Sequence, residues 1–462
     1  MLSKDIDDPR IIKAEPTKEL FVFILVRDLT LSDAIGDLVD NSIDGAKRIR
    51  PDVDAGKSKN ILNPDGKYIG LTIDITLEPD KFSIVDNCGG ISSRVARDYA
   101  FRFGRPKDMP NSPGSVGQFG IGMKRALFKL GSHFRIESTY THSRFLVEVN
   151  VDDWINEEEW NFRFTELEER DSSDEPFDSS ELGTKILVDN LREGTVSSFK
   201  LNKFINQLRQ EIEKEQFYNI LRGLSITIND EALKARQLYL LESDLIKTAF
   251  WNDSFNIKQD STENTLNVEI YAGVSDPVTE EGGWNIFCND RLVLGNDQSL
   301  ITGWGDKIPV YHSQYNRFRG YVFFNSDVAS LLPWNTVKNG MDWGNPYFQR
   351  ARSEMIKMMR PVINFLNEIH SERGKFPDSD ERILEQTLAN TNQIELAKID
   401  KDQKVFASPK QEPKTLLKLS RISYSKPLKK VEEAKRFFDV SSNTNVGSET
   451  FDYWYAAEIG EE

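Results

Sequence analysis

Four short stretches of this 462-residue chain combine residue types and spacings that could do chemistry. The first is Asp37-Leu-Val-Asp-Asn41-Ser-Ile-Asp44-Gly. Asp37, Asn41 and Asp44 are four and three residues apart, so on a helix they form one polar stripe. A carboxylate one turn from an amide can orient a water and contribute to the shell of a metal ion; a plain solvated helix face is the competing reading. The second stretch, Ile84-Val-Asp86-Asn-Cys88-Gly89-Gly90-Ile91, sets a carboxylate at a strand end before two glycines. Paired glycines allow a tight turn and let backbone approach a ligand, and Asp86 could accept from an exocyclic amine such as that of adenine. An ordinary β-turn would have the same residues.

The third stretch is Gly114-Ser-Val-Gly117-Gln-Phe-Gly120-Ile-Gly122-Met-Lys124-Arg-Ala. Glycines leading directly into a helix present N–H groups and a positive helix end to phosphates, and Lys124 adds a cation in the first turn. The pattern is not a P-loop, because Lys-Ser/Thr does not follow Gly122, and it lacks the preceding strand of a dinucleotide fingerprint. The fourth, Glu181-Leu-Gly183-Thr184-Lys-Ile-Leu-Val, is a small polar pair entering an apolar strand and says little alone.

The elements that would position these residues can be read from periodicity. Leu31, Ala34, Ile35, Leu38, Val39, Ser42, Ile43 and Ala46 recur at helical spacing, so Thr30 to Arg50 is expected to be an amphipathic helix. Strands are expected at 68–77, 82–85, 134–139, 144–151 and 184–188, with a helix at 123–130. The acidic interval 152–181 reads as a solvated insertion or long hairpin loop. Beyond it, one helix is expected at 199–221 and strands at 224–228, 266–272, 284–293 and 319–324. A long helix begins near Pro346, with Phe348, Ala351, Met355, Met359, Val362, Leu366 and Ile369 as its apolar stripe and a potential kink at Pro361. Residues 371–415 read as a charged linker with one short helix, and the last 45 or so residues as a small module.

Composition bounds the alternatives. Hydrophobic residues make up 38% and aromatics 11%, enough to build cores and to argue against a disordered chain. A formal net charge of −15 disfavours nucleic acid and anionic membranes except at a local basic patch. The interval 404–436 is such a patch, with ten Lys or Arg against three Glu, and reads either as a DNA contact or as a solvated helix and linker. Cys88 and Cys288 are the only cysteines, which provides neither a disulfide framework nor a zinc site and suits a reducing compartment. The polar N-terminus and the short apolar run Leu20 to Val26 lead to the expectation of a cytoplasmic protein without membrane association.

Taken in order and at this spacing, the four stretches resemble the GHKL ATPases, the superfamily of DNA gyrase B, the ninety-kilodalton heat-shock chaperones, histidine kinases, MutL and the MORC proteins, with Gly117 to Lys124 most like the MORC and MutL side. The resemblance covers residues 20 to 190 and implies an α+β chain whose ATPase domain is a Bergerat α/β sandwich. It implies ATP and magnesium as cofactors, with Asn41 on the metal and Asp86 on adenine. Gly90 would lie in the adenine turn, Gly117, Gly120, Gly122 and Lys124 in a lid over the phosphates, and Thr184 would support the adenine contact through water. Asp37 stands where many members have a glutamate general base, shorter by one methylene or about 1.5 Å of reach, so turnover is expected to be slow. Cys88 replaces an expected glycine, with a reactive thiol as a side possibility.

By the same resemblance, Trp334-Asn-Thr336-Val-Lys338-Asn-Gly lies in a transducer domain whose loop lysine would reach the γ-phosphate, which makes Lys338 the second catalytic candidate beside Asp37. The expected organisation is an ATP-binding domain over 1–195, a transducer-like domain over 196–345, a long helix and linker over 346–415 and a module over 416–462. No phosphoacceptor histidine stands before Asp37, and histidine and cysteine are too scarce for a MutL-type metal endonuclease. The function expected is a nucleotide-gated switch: ATP closes the lid and drives homodimerisation, acting on DNA or, with little turnover, signalling to a protein partner.

Overall fold

The computed structural model describes residues 16–51, 66–104, 120–235, 237–259, 262–278, 281–335, 338–376, 382–409 and 422–460. Gly117 and residues 410–421 of the basic interval lie outside the described residues. The chain is α+β and divides into two compact units, 1–409 and 410–462.

The larger unit begins with α1 (Lys18–Arg27) and α2 (Leu31–Ile49), each capped by a threonine side chain that accepts from the first turn, Thr17 and Thr30. There follow β1 (Thr72–Leu77), β2 (Phe82–Asp86), the single turn α3 (Ser93–Val95), α4 (Gly122–Leu130), β3 (Gly131–Tyr140), β4 (Ser143–Asn150), α5 (Val151–Ile155), β5 (Phe164–Glu169) and β6 (Gly183–Leu191). Next come α6 (Glu193–Phe199), α7 (Asn202–Glu215), α8 (Phe217–Leu221), β7 (Ser225–Ile228) and β8 (Glu231–Ala232). The strands form one eight-stranded sheet in the order β5-β4-β3-β6-β2-β1-β7-β8. Its β7 pairs in parallel with β1, so the sheet carries on past residue 195, where a boundary was expected. Ile73, Ile75, Ile84, Ile136, Ile186 and Val188 pack with Ile35, Leu38, Val39, Ile43, Leu127 and Leu208, burying the apolar stripes of α2, α4 and α7 on the sheet.

A second sheet is built from β9 (Tyr239–Glu242), β10 (Ala249–Gln259), β11 (Thr262–Val274), β12 (Gly283–Cys288), β13 (Arg291–Asp297), β14 (Phe318–Ser326) and β15 (Asn392–Glu395). Its order is β13-β12-β14-β11-β9-β15, with β10 paired to β11. Helix α9 (Pro346–Lys375) covers one face, and every residue of its expected stripe, from Phe348 to Ile369, is buried there. Pro361 lies inside this helix without ending it. The other face buries Phe250, Tyr271, Phe287, Tyr321 and Phe323 with Phe217 of α8, whose ring lies 5.2 Å from that of Phe287. Helix α10 (Ile383–Ala389) follows α9. The smaller unit contains α11 (Leu428–Phe438) and α12 (Asn443–Glu458), packed as a helical pair.

Three expectations are corrected. The interval 152–181 is not a solvated loop: Trp154 and Phe177 are buried, and β5 extends the sheet beside β4. Three of its glutamates, Glu166, Glu168 and Glu169, lie on this exposed edge strand, which composition cannot distinguish from a loop. The helix expected over 199–221 is three helices, broken at Leu201 and again at Gln216, whose side chain is turned inward to Asp40 and Asn219. Residues 382–409 are no linker, because β15 pairs with β9, and Leu396, Ile399 and Phe406 are buried. No helix among the described residues is long and apolar enough to cross a membrane.

Candidate nucleotide site

Helix α2 passes along the sheet with its polar side facing four other segments. Asp37 and Asp44 are buried, while Asn41 between them is exposed, so the expected polar stripe divides by depth. For Asp37 the solvated reading does not hold. Its Oδ2 accepts from Arg125 Nε at 2.8 Å and pairs with Arg125 Nη2 at 2.7 Å, and its Oδ1 accepts from Lys338 Nζ at 3.2 Å. Gly122, the first residue of α4, lets that helix end approach: a Cβ there would lie 3.2 Å from the Asp37 carboxylate. A helix N-terminus and a guanidinium thus face the same carboxylate.

Asp86 ends β2 in the centre of the sheet. Its Oδ1 accepts from the amides of Cys88 at 2.9 Å and Thr184 at 3.3 Å, and its Oδ2 from the Ser42 hydroxyl at 2.6 Å. Burial raises the pKa of this carboxyl, opposed by those three hydrogen bonds and by Arg48. Beside it, the Thr184 hydroxyl meets Ser138 Oγ at 3.0 Å, and Ser138 in turn accepts from the Ile91 amide at 2.8 Å. The turn is more than an ordinary β-turn. Gly90 has φ +65°, and a Cβ there would fall 2.0 Å from the Thr139 carbonyl oxygen; one on Gly183 would fall 1.9 Å from that of Asp86. These two glycines permit backbone segments to touch around the Asp86 carboxylate. Cys88 is buried with its thiol pKa pushed well up by burial and by Asp86, so the reactive-thiol expectation is not supported.

Lys124 is placed differently from the expectation of a lid cation. Its ammonium is buried and donates to the carbonyls of Ala100, at 2.8 Å, and Gly120, and burial lowers its pKa to about 7. Gly120 itself has φ +65° and stands at the described end of the Gly-rich stretch.

The most heavily charged part of the site joins the two sheets. Lys338, far along the chain, extends its ammonium to Asp40 Oδ2 at 2.9 Å as well as to Asp37. Arg291, first residue of β13, donates through Nε to Asp40 Oδ1 at 2.9 Å, through Nη2 to Glu215 Oε2 at 3.1 Å and through Nη1 to the Lys338 carbonyl at 2.7 Å. Gln216 completes Asp40 with a 2.9 Å bond. Burial works against charge on Asp40, but Arg291 and Lys338 outweigh it and hold its pKa below the ordinary range. For Lys338 burial is likewise outweighed, by Asp40 and Asp37, and its pKa is raised. Glu215 is the looser member: burial lifts its pKa to about 7, against the pull of Arg291.

Asp37, Lys338, Gly122 and the start of α4 are therefore brought together, and Asp86, Thr184 and Gly90 form a second cluster one helical turn along α2 through Ser42. Sequence reasoning missed Asp40, Arg125, Ser42, Ser138, Glu215 and Arg291. Asp40 and Arg125 lie inside stretches that had been singled out, whereas nothing in the turn sequence Asn289-Asp-Arg291 announces a partner 251 residues away. Among the described residues no three His, Cys, Asp or Glu side chains group as a metal site.

Residues 29–184 match the family described as histidine kinase-, DNA gyrase B-, and HSP90-like ATPase. No curated protein matches the chain. The family match spans Asp37, Gly122 and all of the second cluster but not Lys338, and supports an ATPase domain of the GHKL superfamily, and with it ATP binding, over this part of the chain.

Proposed function

Taking an ATPase-type domain over residues 29–184 as the premise, we propose that the protein binds ATP with magnesium and hydrolyses it slowly, using the nucleotide to switch its conformation. Asp86 accepts the adenine amine, with Thr184 beside it and Gly90 allowing the turn that brings backbone to the base. Asn41, exposed on α2, adds an amide oxygen to a magnesium ion otherwise held by phosphate oxygens. Gly117, Gly120 and Gly122 lead into α4, whose N-terminus faces the phosphates. Lys124 shapes that entry through the Ala100 and Gly120 carbonyls instead of contacting phosphate. Asp37 orients the attacking water, and Lys338 neutralises charge on the terminal phosphate.

The observation that carries this reading is the burial of Lys338 against Asp37: a residue of the second sheet's connections reaches the centre of the nucleotide domain. Steady-state phosphate release with magnesium and ATP tests it. Asp37→Asn and Lys338→Ala should each lose turnover while retaining ATP binding; wild-type turnover in either removes that residue from the mechanism. Nucleotide-dependent homodimerisation, closest to the MORC and MutL branch, belongs to the same reading and is checked by light scattering with a non-hydrolysable analogue.

A second reading has its own support. Both carboxylate oxygens of Asp37 are engaged, by Arg125 and Lys338, which leaves it poorly placed to hold a water, so the chain can serve as an ATP-sensing regulator with little turnover that signals to a protein partner. Binding without phosphate release would select it. Action on DNA through the basic interval 404–436 is separated by a gel shift at low salt, with and without the analogue.

A further inference from the structure

We propose that Arg291 is the positioning residue of Lys338: it holds the loop that carries the lysine against α2, so that the ammonium is aimed into the nucleotide site. The inference rests on the ATP reading above and names a residue through which the second sheet would act on that site.

The guanidinium is 3% exposed and its three directions of donation are all used, each on a different element: Asp40 on α2, Glu215 on α7 and the Lys338 carbonyl. Lys338 has φ +60°, a left-handed conformation that a side-chain-bearing residue keeps only when its surroundings impose it. Its amide donates to the Asn335 carbonyl at 3.1 Å and its carbonyl accepts from Arg291, so the loop is held at both ends of that residue. With the backbone so placed, the side chain leaves towards Asp37 and Asp40. The base of Arg291 is itself anchored on α2: Lys47 Nζ donates to the Asn289 carbonyl at 2.9 Å, two residues before it. Arginine is required because a planar fork can serve three fixed acceptors at once, which a lysine ammonium on a flexible stem cannot do in the same geometry. A residue that merely packed the interface would have no reason to bond the backbone of the lysine itself.

The test is the acylation rate of individual lysines by an amine-reactive ester, read by mass spectrometry on the nucleotide-free full chain, in wild type and Arg291→Lys. Lys338 should label about tenfold faster in the variant, while Lys18 and Lys124, both buried and bonded to carbonyls elsewhere, keep their wild-type rates. Unchanged protection of Lys338 overturns the proposal. An equal rise at all three lysines also overturns it, because Arg291 would then be a general packing residue. In turnover, Arg291→Lys should lower kcat about tenfold with KM for ATP within about threefold, and adding Arg291→Lys to Lys338→Ala should cost nothing beyond the Lys338→Ala loss. Losses that multiply instead would show that Arg291 acts independently of Lys338. A wild-type chain that fails to bind ATP defeats the nucleotide reading and leaves the labelling result to decide the positioning role.

Discussion

Lys338 Nζ lies 2.9 Å from Asp40 Oδ2, although 298 residues separate them in the chain. Both groups are buried, and Arg291 and Gln216 occupy the other oxygen of the same carboxylate. The two sheets are thus joined by opposite charges at the very helix that carries the candidate catalytic residues, and this arrangement has measurable consequences.

Asp40→Ala leaves Arg291 and Lys338 buried without their shared acceptor. Removing one partner of a buried ion pair costs about 3–5 kcal/mol, and urea unfolding should show a loss of that order. A loss below about 1 kcal/mol, the worth of a surface pair, would mean that the network is not sealed from water.

Asp86→Asn retains an oxygen for the Cys88 and Thr184 amides, so the fold should survive. The amide cannot offer a carboxylate to an exocyclic amine. ATP affinity by calorimetry should therefore fall at least about tenfold, as when a buried polar contact with a ligand is lost. Undiminished affinity would take Asp86 out of base recognition.

Two glycine substitutions should act in opposite directions. Gly90→Ala drives a Cβ to 2.0 Å from the Thr139 carbonyl oxygen at positive φ, and should cost more than about 3 kcal/mol by thermal unfolding. Gly194→Ala, in α6 with nothing within 4 Å, should stabilise by about 0.5–1 kcal/mol. Equal effects at the two positions would contradict the backbone contact at Gly90.

Glu215 supplies a pH dependence. Its folded pKa, about 7, lies above the model-peptide value of 4.5. Between those values the folded chain binds more protons than the unfolded chain, so this group's contribution is present at low pH and is lost as pH rises through about 7. Melting curves from pH 5 to 8 should show a fall on the order of 2 kcal/mol attributable to this group, absent in Glu215→Gln. The same slope in the variant would assign the dependence elsewhere.

Cys88 and Cys288 are both buried, with thiol pKa values raised. Neither should react with iodoacetamide at pH 8 in the folded chain within hours, and both should react after denaturation. Rapid native labelling of Cys88 would revive the reactive-thiol reading.

What could be read in advance follows from locality. Asp37, Asn41 and Gly45 lie within one helix, and Asp86 to Gly90 within one turn, so their spacing alone places them. The stripe of α9 was legible for the same reason: Phe348 to Ile369 repeat at the helical period, and all are buried. Beyond those, charge misled. In β5 the glutamates, and in β15 the polar Asn392 and Gln393, lie exposed on edge strands, where they mimic the composition of a loop.

By itself the sequence determined that four nucleotide-type stretches occur in order, that α2 would hold Asp37 above Asn41, and that Lys338 was worth testing. Only the tertiary structure decided that Lys338 meets Asp40 as well as Asp37, that Arg125 and Arg291 pair with those same carboxylates, and that Lys124 turns inward. The reason is physical: periodicity reports which side of an element is buried, but the partner of a buried charge is chosen by which elements the sheets bring within about 3 Å of it, and that depends on contacts hundreds of residues apart.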